Sequence, residues 1–94
     1  MIDNIKGVTE LLKVLSNENR LMIVCYLLES PMTVSELHQK INNLTQSALS
    51  QHLAMLKAHG ILDSNKNGLS ITYSIKDNRV NNIIKVLKEN YCNF

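Results

Sequence analysis

Residues 45–68 constrain the fold most strongly, because a helical pattern there runs directly into the pattern of a β-hairpin. Leu49, Leu53 and Leu56 recur at i, i+4 and i+7, which predicts a helix with one buried stripe. The other side carries short or forked polar side chains without charge: Gln46, Ser47, Ser50 and Gln51. Serine is a mediocre helix former, so its use there favours a face that is kept for binding.

That polar face has the chemistry that a helix needs in the DNA major groove. A glutamine side chain can make two hydrogen bonds to adenine, and a serine hydroxyl can donate to or accept from several base edges. An ordinary solvated face is the alternative interpretation, and this helix alone does not decide between the two.

A shorter helix is predicted just upstream, over residues 33–41. Thr33 and Glu36 have the spacing of a capping box, in which each side chain bonds the backbone N–H of the other residue. The buried stripe of this helix comprises Val34, Leu37 and Ile41. A short link, residues 42–44, leads to Thr45, which is a good N-cap for the next helix. Two helices joined by so tight a turn predict a DNA-binding helix-turn-helix unit, with an ordinary helical hairpin as the alternative.

The residues after the polar helix predict a β-hairpin. Gly60 suits the left-handed position that ends many helices, and residues 61–62 end the helix region after it. Apolar and polar residues then alternate, with Leu69, Ile71, Tyr73 and Ile75 set against Ser70, Thr72 and Ser74. The Asn-Gly pair at 67–68 predicts the turn, since both residues tolerate positive φ. A ribbon beside a helix-turn-helix unit predicts a winged helix, and Lys66 is the only cation near the tip of this wing.

Composition sets limits on this interpretation. The chain has 94 residues, 45% of them hydrophobic, which predicts one domain over residues 1–94 with a modest core. No apolar run is long enough to span a membrane, and the N-terminal residues lack the pattern of a secretory signal. We therefore expect a cytoplasmic protein with no membrane partner. The net charge of +2 is low for a nucleic-acid binder, but residues 33–76 carry the whole excess.

The chain does not have the features of an enzyme. It contains no glycine-rich phosphate loop, no nucleophile with a paired base and no pair of carboxylates in a plausible pocket. A winged helix that only contacts other proteins remains an alternative, because a fold does not determine a function.

Both ends of the chain are predicted to be helical, over residues 8–15 and 78–94. One side of the last helix carries a long apolar stripe: Val80, Ile83, Ile84, Leu87, Tyr91 and Phe94. Such a stripe packs on the domain, on a second copy of the chain, or on both. A further helix over residues 18–29 has a predicted buried stripe of Leu21, Val24, Cys25 and Leu28. Ser16 or Asn17 is expected to cap it.

Taken together, these residues resemble the ArsR/SmtB family of bacterial repressors over about residues 11–92. The most specific matches are LSNENRL at 15–21 and QSALSQHL at 46–53. Members of that family are mainly α-helical winged helix-turn-helix proteins that dimerise through their first and last helices and bind inverted repeats. The resemblance therefore implies a homodimer on a double-stranded DNA operator, with its wing at Lys66. It assigns base and phosphate contacts to Gln46, Ser47, Ser50 and Gln51.

The chain departs from the family pattern in two places. The turn at residues 41–44 is one residue longer than the usual family turn, and the wing lacks the usual cluster of arginines. The ligands of the metal-sensing members are also missing. Residues 35–38 read Ser-Glu-Leu-His where those members carry a Cys-x-Cys motif, and no histidine follows His59 to serve on the last helix. We therefore predict no metal site and no cofactor.

The two cysteines, Cys25 and Cys92, resemble those of a thiol-based subgroup of the family that senses persulfides and oxidants. In that subgroup, one cysteine follows the Asn-x-x-Arg-Leu motif, as RLMIVC does here at 20–25, and the other lies in a Tyr-Cys context, as at 91–92. The resemblance implies that reactive sulfur species induce release from DNA by linking the two thiols of one protomer. The alternatives are that Cys25 is a small core residue, or that both cysteines are inert and another ligand is the inducer.

Overall fold

The computed structural model describes residues 1–92, and within them it has five α-helices and three β-strands. In chain order these are a 3₁₀ turn Ile2–Asn4, α1 Ile5–Leu15, α2 Glu18–Glu29, β1 Met32–Thr33, α3 Val34–Lys40, α4 Gln46–Ala58, β2 Leu62–Asn67, β3 Ser70–Ile75 and α5 Arg79–Tyr91. The predicted fold class, mainly α with a small β-hairpin, is confirmed. Phe94, which the sequence pattern assigns to the apolar stripe of the last helix, lies outside the described residues.

The strands form one antiparallel sheet in the order β1-β3-β2. The predicted hairpin is β2 and β3, and their register runs from Leu62 opposite Ile75 to Asn67 opposite Ser70. Strand β1, which no sequence pattern predicts, adds Met32 to the sheet opposite Tyr73. A strand of only two residues has no alternation that a sequence pattern could reveal.

The tip of the hairpin differs from the prediction by one residue. Because Asn67 pairs with Ser70, the two-residue loop consists of Gly68 and Leu69, not of Asn67 and Gly68. Gly68 has φ +67°, and no non-glycine residue in the described chain has positive φ. This matches a type II′ turn, which needs glycine at its first central position only. Leu69 therefore stands at the tip with its side chain fully exposed, and not on the buried side of a strand.

The core is formed by side chains from all five helices together with Ile61 and Leu62. The stripes predicted for α3 and α4 lie in it, since Leu37, Ile41, Leu49, Leu53 and Leu56 are all buried. The stripe predicted for α2 is wrong in part. Its fully buried residues are Ile23, Val24 and Leu27, whereas Cys25 is exposed. Residues 21–28 are apolar on nearly every side of the helix, so their periodicity could not identify the buried face.

Helix α5 is anchored in the protomer mainly by its N-terminal half. Val80 is completely buried, and Ile83 and Ile84 are partly buried. Further along the helix, the apolar side chains of Leu87 and Tyr91 are exposed to 40% and 68%. Both α1 and α5 therefore leave apolar surface uncovered, since Leu12 of α1 is 52% exposed. None of the helices in residues 1–92 is long and apolar enough to cross a membrane.

Candidate nucleic-acid interface and cysteine pair

Helices α3 and α4 both begin at the caps that the sequence predicts. The backbone N–H of Thr33 donates to Glu36 Oε1 at 2.9 Å, and the N–H of Glu36 donates to Thr33 Oγ1 at 3.2 Å. Hydrogen bonds from the Thr33 backbone N–H and from the Thr33 side chain to the Glu36 carboxyl lower the pKa of that carboxyl. The N–H of Ala48 donates to Thr45 Oγ1 at 3.0 Å. Each cap satisfies a backbone donor that has no partner inside its helix, so both helices of the unit have defined starts.

Two polar contacts that the sequence analysis missed hold the turn between α3 and α4. His38 Nε2 donates to the backbone carbonyl of Leu44 at 2.8 Å, across the turn. Asn43 Nδ2 donates to Asn19 Oδ1 of α2 at 3.4 Å. His38, which stands where metal-sensing members of the family carry their Cys-x-Cys motif, thus has a structural contact. These groups come together only when the turn is folded, so no local sequence motif predicts the two contacts.

The predicted binding face of α4 is open. Gln46, Ser47, Ser50 and Gln51 are all exposed, whereas the leucines of the predicted stripe are buried. The helix is held from behind by α2, α3 and β2. Gln46 is also the first residue of α4, where free backbone N–H groups and the helix dipole favour an anion. This surface can donate and accept hydrogen bonds without carrying a net charge.

The wing extends directly from the end of α4. Lys57 Nζ donates to Ser64 Oγ at 2.6 Å, which ties the last turn of α4 to β2. Lys66 lies exposed on β2, opposite Ile71 of β3. It is the only cation of residues 62–75, so the wing can supply one positive charge beside the exposed Leu69.

Arg20 connects three helices, a role that no sequence pattern indicates. Its Nε donates to the carbonyl of Val14 at 2.6 Å, at the end of α1. Its Nη1 lies 3.5 Å from Nδ1 of His52, on α4. Partial burial and the adjacent guanidinium both lower the pKa of His52. His52 is therefore neutral at physiological pH, and its ring nitrogen can accept from Arg20.

The described residues do not assemble a metal site. No group of three or more His, Cys, Asp or Glu side chains within residues 1–92 could hold a metal ion. The third histidine, His59, has its Nδ1 bonded to the carbonyl of Met55 in its own helix, at 2.9 Å.

Cys25 and Cys92 are both free and exposed, on α2 and at the end of α5. This contradicts the interpretation of Cys25 as a core residue. Partial desolvation raises the pKa of the Cys25 thiol, the Cys92 thiol and the Glu29 carboxylate raise it further, and the Lys88 ammonium lowers it. Two of these influences, those of Cys92 and Lys88, come from the last turns of α5.

Known proteins support the regulator interpretation. A family model described as "Bacterial regulatory protein, arsR family" matches residues 17–64. The HTH-type transcriptional regulator YgaV of Escherichia coli is 45% identical over 82 residues, which are 87% of this chain and 83% of that protein. The transcriptional activator HlyU of Vibrio cholerae is 40% identical over 82 residues, 87% of this chain and 75% of HlyU. The structure of the transcriptional repressor BigR from Xylella fastidiosa aligns with a TM-score of 0.93 at 34% identity, covering 100% of this chain and 95% of that chain.

Proposed function

Since the chain belongs to the arsR family of bacterial regulatory proteins, we propose that it is a homodimeric repressor whose inverted-repeat operator is released by reactive sulfur species. Family membership makes it a DNA-binding transcriptional regulator and not an enzyme. The proposal adds the residues that read the DNA, the pairing of two copies, and a thiol switch. We expect the protein to act in the cytoplasm, where reducing systems would reset such a switch.

The exposed, uncharged polar face of α4 is the observation that best supports the proposal that this helix reads DNA. Gln46 and Gln51 can form paired hydrogen bonds with bases, and Ser47 and Ser50 are short enough to let the helix approach the groove floor. The N-terminus of α4 and Lys66 then supply phosphate contacts. Because one protomer carries so little positive charge, two protomers on one DNA site are needed for a substantial electrostatic contribution.

The uncovered apolar surfaces of α1 and α5 support the pairing of two copies. Leu12, Leu87 and Tyr91 are exposed large apolar side chains on these two helices. Val80 and Leu15 also belong to the apolar sides of these helices, but they are buried within the protomer and are not available. A two-fold dimer would place the two recognition helices about one helical turn of DNA apart, roughly 34–36 Å.

The proximity of Cys25 to the end of α5 supports the thiol switch. A direct disulfide needs Cα atoms about 4.4–6.8 Å apart, whereas packed helices have axes about 8–10 Å apart. Each additional sulfur lengthens the bridge by about 2 Å. A polysulfide bridge could therefore join Cys25 and Cys92 where a disulfide would strain the helices, and this would favour persulfides over peroxide.

The chemistry of such a bridge balances with an organic persulfide as the only co-reactant. A cysteine thiolate attacks the outer sulfur of the persulfide and expels a thiol, and further persulfides extend the chain in the same way. The second cysteine then attacks within this chain and expels hydrogen sulfide, which carries away the two electrons lost by the protein thiols. A bridge with two added sulfurs thus consumes three persulfides and releases three thiols and one hydrogen sulfide. The raised pKa of the Cys25 thiol lowers its thiolate fraction, and this disfavours Cys25 as the thiol that attacks first.

In vitro selection from random duplex DNA, followed by footprinting of the selected sequence, tests the DNA-binding part. We expect a protected pseudo-palindrome and, by sedimentation at micromolar concentration, a dimer. A monomer, or selected sites without two-fold symmetry, would contradict the proposal. A reporter gene behind the selected site decides between repression and activation, because the relatives include proteins named as an activator and as a repressor.

A further inference from the structure

Arg20 completes the C-terminal end of α1. The last carbonyl groups of a helix have no partner inside it. Here the Ser16 N–H donates to the carbonyl of Lys13 at 3.3 Å, and the Asn17 N–H donates to that of Leu15 at 2.8 Å. The carbonyl between them, that of Val14, accepts from Arg20 Nε at 2.6 Å. The guanidinium is therefore fixed to the end of α1, where the helix dipole also favours a cation.

The other side of the guanidinium points to the recognition helix. Nη1 of Arg20 lies 3.5 Å from Nδ1 of His52. His52 is partly buried and directly follows Gln51, so it lies at the edge between the buried leucines and the exposed polar face of α4. A contact at this edge resists rotation of α4 about its own axis, which would otherwise turn Gln51 and its neighbours relative to the DNA.

We propose that Arg20 is a positioning residue for operator binding, which holds the recognition helix to the end of α1 through neutral His52. This inference deepens the proposed function, because it assumes that the exposed face of α4 reads DNA. A protonated His52 would present a hydrogen-bond donor and a positive charge to a guanidinium that is itself a charged donor. Operator affinity should therefore fall when His52 becomes protonated.

The charged groups around His52 determine the pH at which its imidazole ring becomes protonated. From α2, Arg20 faces the ring directly. Glu10 and Lys13 of α1, together with His59 at the C-cap of α4, line the cavity that Arg20 also lines. On α3 and β2, which also pack against α4, the charged side chains Glu36, Lys40, Asp63 and Lys66 are exposed. Because the pKa of His52 lies below the ordinary histidine value of about 6.5, the loss of affinity should occur below that pH.

The test is fluorescence anisotropy with the selected operator from pH 8 to pH 5.5 at constant ionic strength. Wild type should lose affinity at acid pH relative to His52→Gln, whose side-chain oxygen can accept from Arg20 at every pH. We expect a difference of about five- to tenfold, equivalent to roughly 1–1.4 kcal/mol. The matched control is His59→Gln, which removes the exposed histidine at the C-cap of α4 and should keep the wild-type pH profile. Arg20→Lys keeps the charge but loses the forked donor geometry, so it should bind more weakly at pH 8 without changing the slope of affinity against salt.

Hydrogen exchange measured without DNA provides an independent arm. After correction for intrinsic exchange rates, α4 of wild type should exchange faster at pH 5.5 than at pH 8, and α4 of His52→Gln should not. Superimposable pH profiles for wild type and His52→Gln, in both exchange and affinity, would overturn the inference. That result would not affect operator binding at pH 8. The proposed function would therefore still stand. Thermal unfolding of each variant checks that a weaker binder is still folded.

Discussion

The backbone N–H of Ile61 donates to the carbonyl of Leu56 at 3.0 Å, and this bond sets the direction in which the chain leaves α4. Between these two buried residues, the N–H of Gly60 donates to the carbonyl of Lys57, also at 3.0 Å. The pair of bonds is a Schellman motif, which needs a left-handed residue at Gly60, and its φ is +74°. The orientation of the wing relative to α4 is therefore fixed at one glycine.

Gly60→Ala should lower the free energy of unfolding by about 1–2 kcal/mol, because an L-residue resists positive φ. No atom lies within 4 Å of an added Cβ, so the expected cost is conformational and not steric. Gly7→Ala is the control within α1. There an added Cβ meets only the exposed side chain of Asn4, at 2.8 Å, and the gain in helix propensity should make the change neutral or stabilising. Urea denaturation measures the free energy of unfolding of both variants, and an equal loss in the two would contradict the role given to Gly60.

Local signals made much of this interface predictable from the sequence. The caps at Thr33 and Thr45 and the end of α4 at Gly60 each involve residues within a few positions of one another, so the pattern contains all the information. Contacts between distant residues were not predictable. Arg20 and His52 are 32 positions apart, and only the packing of α2 against α4 brings them together.

The interpretation of Cys25 illustrates a second limit. In a helix that is apolar on nearly every side, the buried face depends on what packs against it, and sequence periodicity does not contain that information. The exposure of Leu69 has a similar origin. The observed turn lies one residue later than the predicted one, so Leu69 belongs to the tip and not to the strand. A shift of one residue changes the placement of every side chain near the turn, since side chains in a strand alternate with a period of two.

Gln46→Ala and Gln51→Ala should each weaken operator binding by about 1–3 kcal/mol if the glutamine forms paired bonds with a base. Both side chains are exposed, so stability should hardly change. Gln39→Ala removes an exposed glutamine from α3 and is the matched control. Anisotropy titrations with operator and with a scrambled duplex separate loss of specificity from loss of general affinity. Unchanged operator affinity in both α4 variants would refute the assignment of the reading face.

Lys66→Ala should reduce the salt dependence of binding, because each phosphate contact contributes about 0.9 to the slope of log affinity against log salt concentration. A dimer would lose about twice that amount if both wings touch phosphates. Lys6→Ala removes an exposed lysine of α1 and should leave the slope unchanged. A series of titrations at increasing salt measures both slopes, and identical values would exclude the wing from phosphate contact.

Leu87→Glu should convert the dimer into a monomer and abolish tight operator binding. The side chain is 40% exposed in the protomer, so a charge there should disrupt the interface more than the fold. Ile84→Glu, a choice that the sequence stripe also supports, is a poorer test because Ile84 packs against the core of its own protomer. Leu69→Glu places the same charge on a fully exposed leucine of the wing and should remain dimeric. Sedimentation velocity distinguishes the outcomes, and a dimeric Leu87→Glu protein would move the interface elsewhere.

The proposed thiol switch requires that two exposed cysteines, Cys25 on α2 and Cys92 at the end of α5, become covalently joined. Tying α2 to α5 should change how the dimer presents its two recognition helices. A coupling free energy of about 2–3 kcal/mol would lower operator affinity roughly 30- to 150-fold. Cys25→Ser and Cys92→Ser should each bind the operator normally when reduced and should fail to release it after persulfide treatment.

Intact-mass spectrometry of the persulfide-treated protein, taken in parallel with operator anisotropy, tests the central claim most directly. We predict that wild type gains the mass of bridging sulfur atoms, loses both free thiols and releases the operator, and that a reductant reverses all three changes. Either single serine variant should form no bridge between its helices and should stay bound. If wild type gains no sulfur, or if the variant with serine at both positions releases the operator equally well, the two cysteines are not the switch.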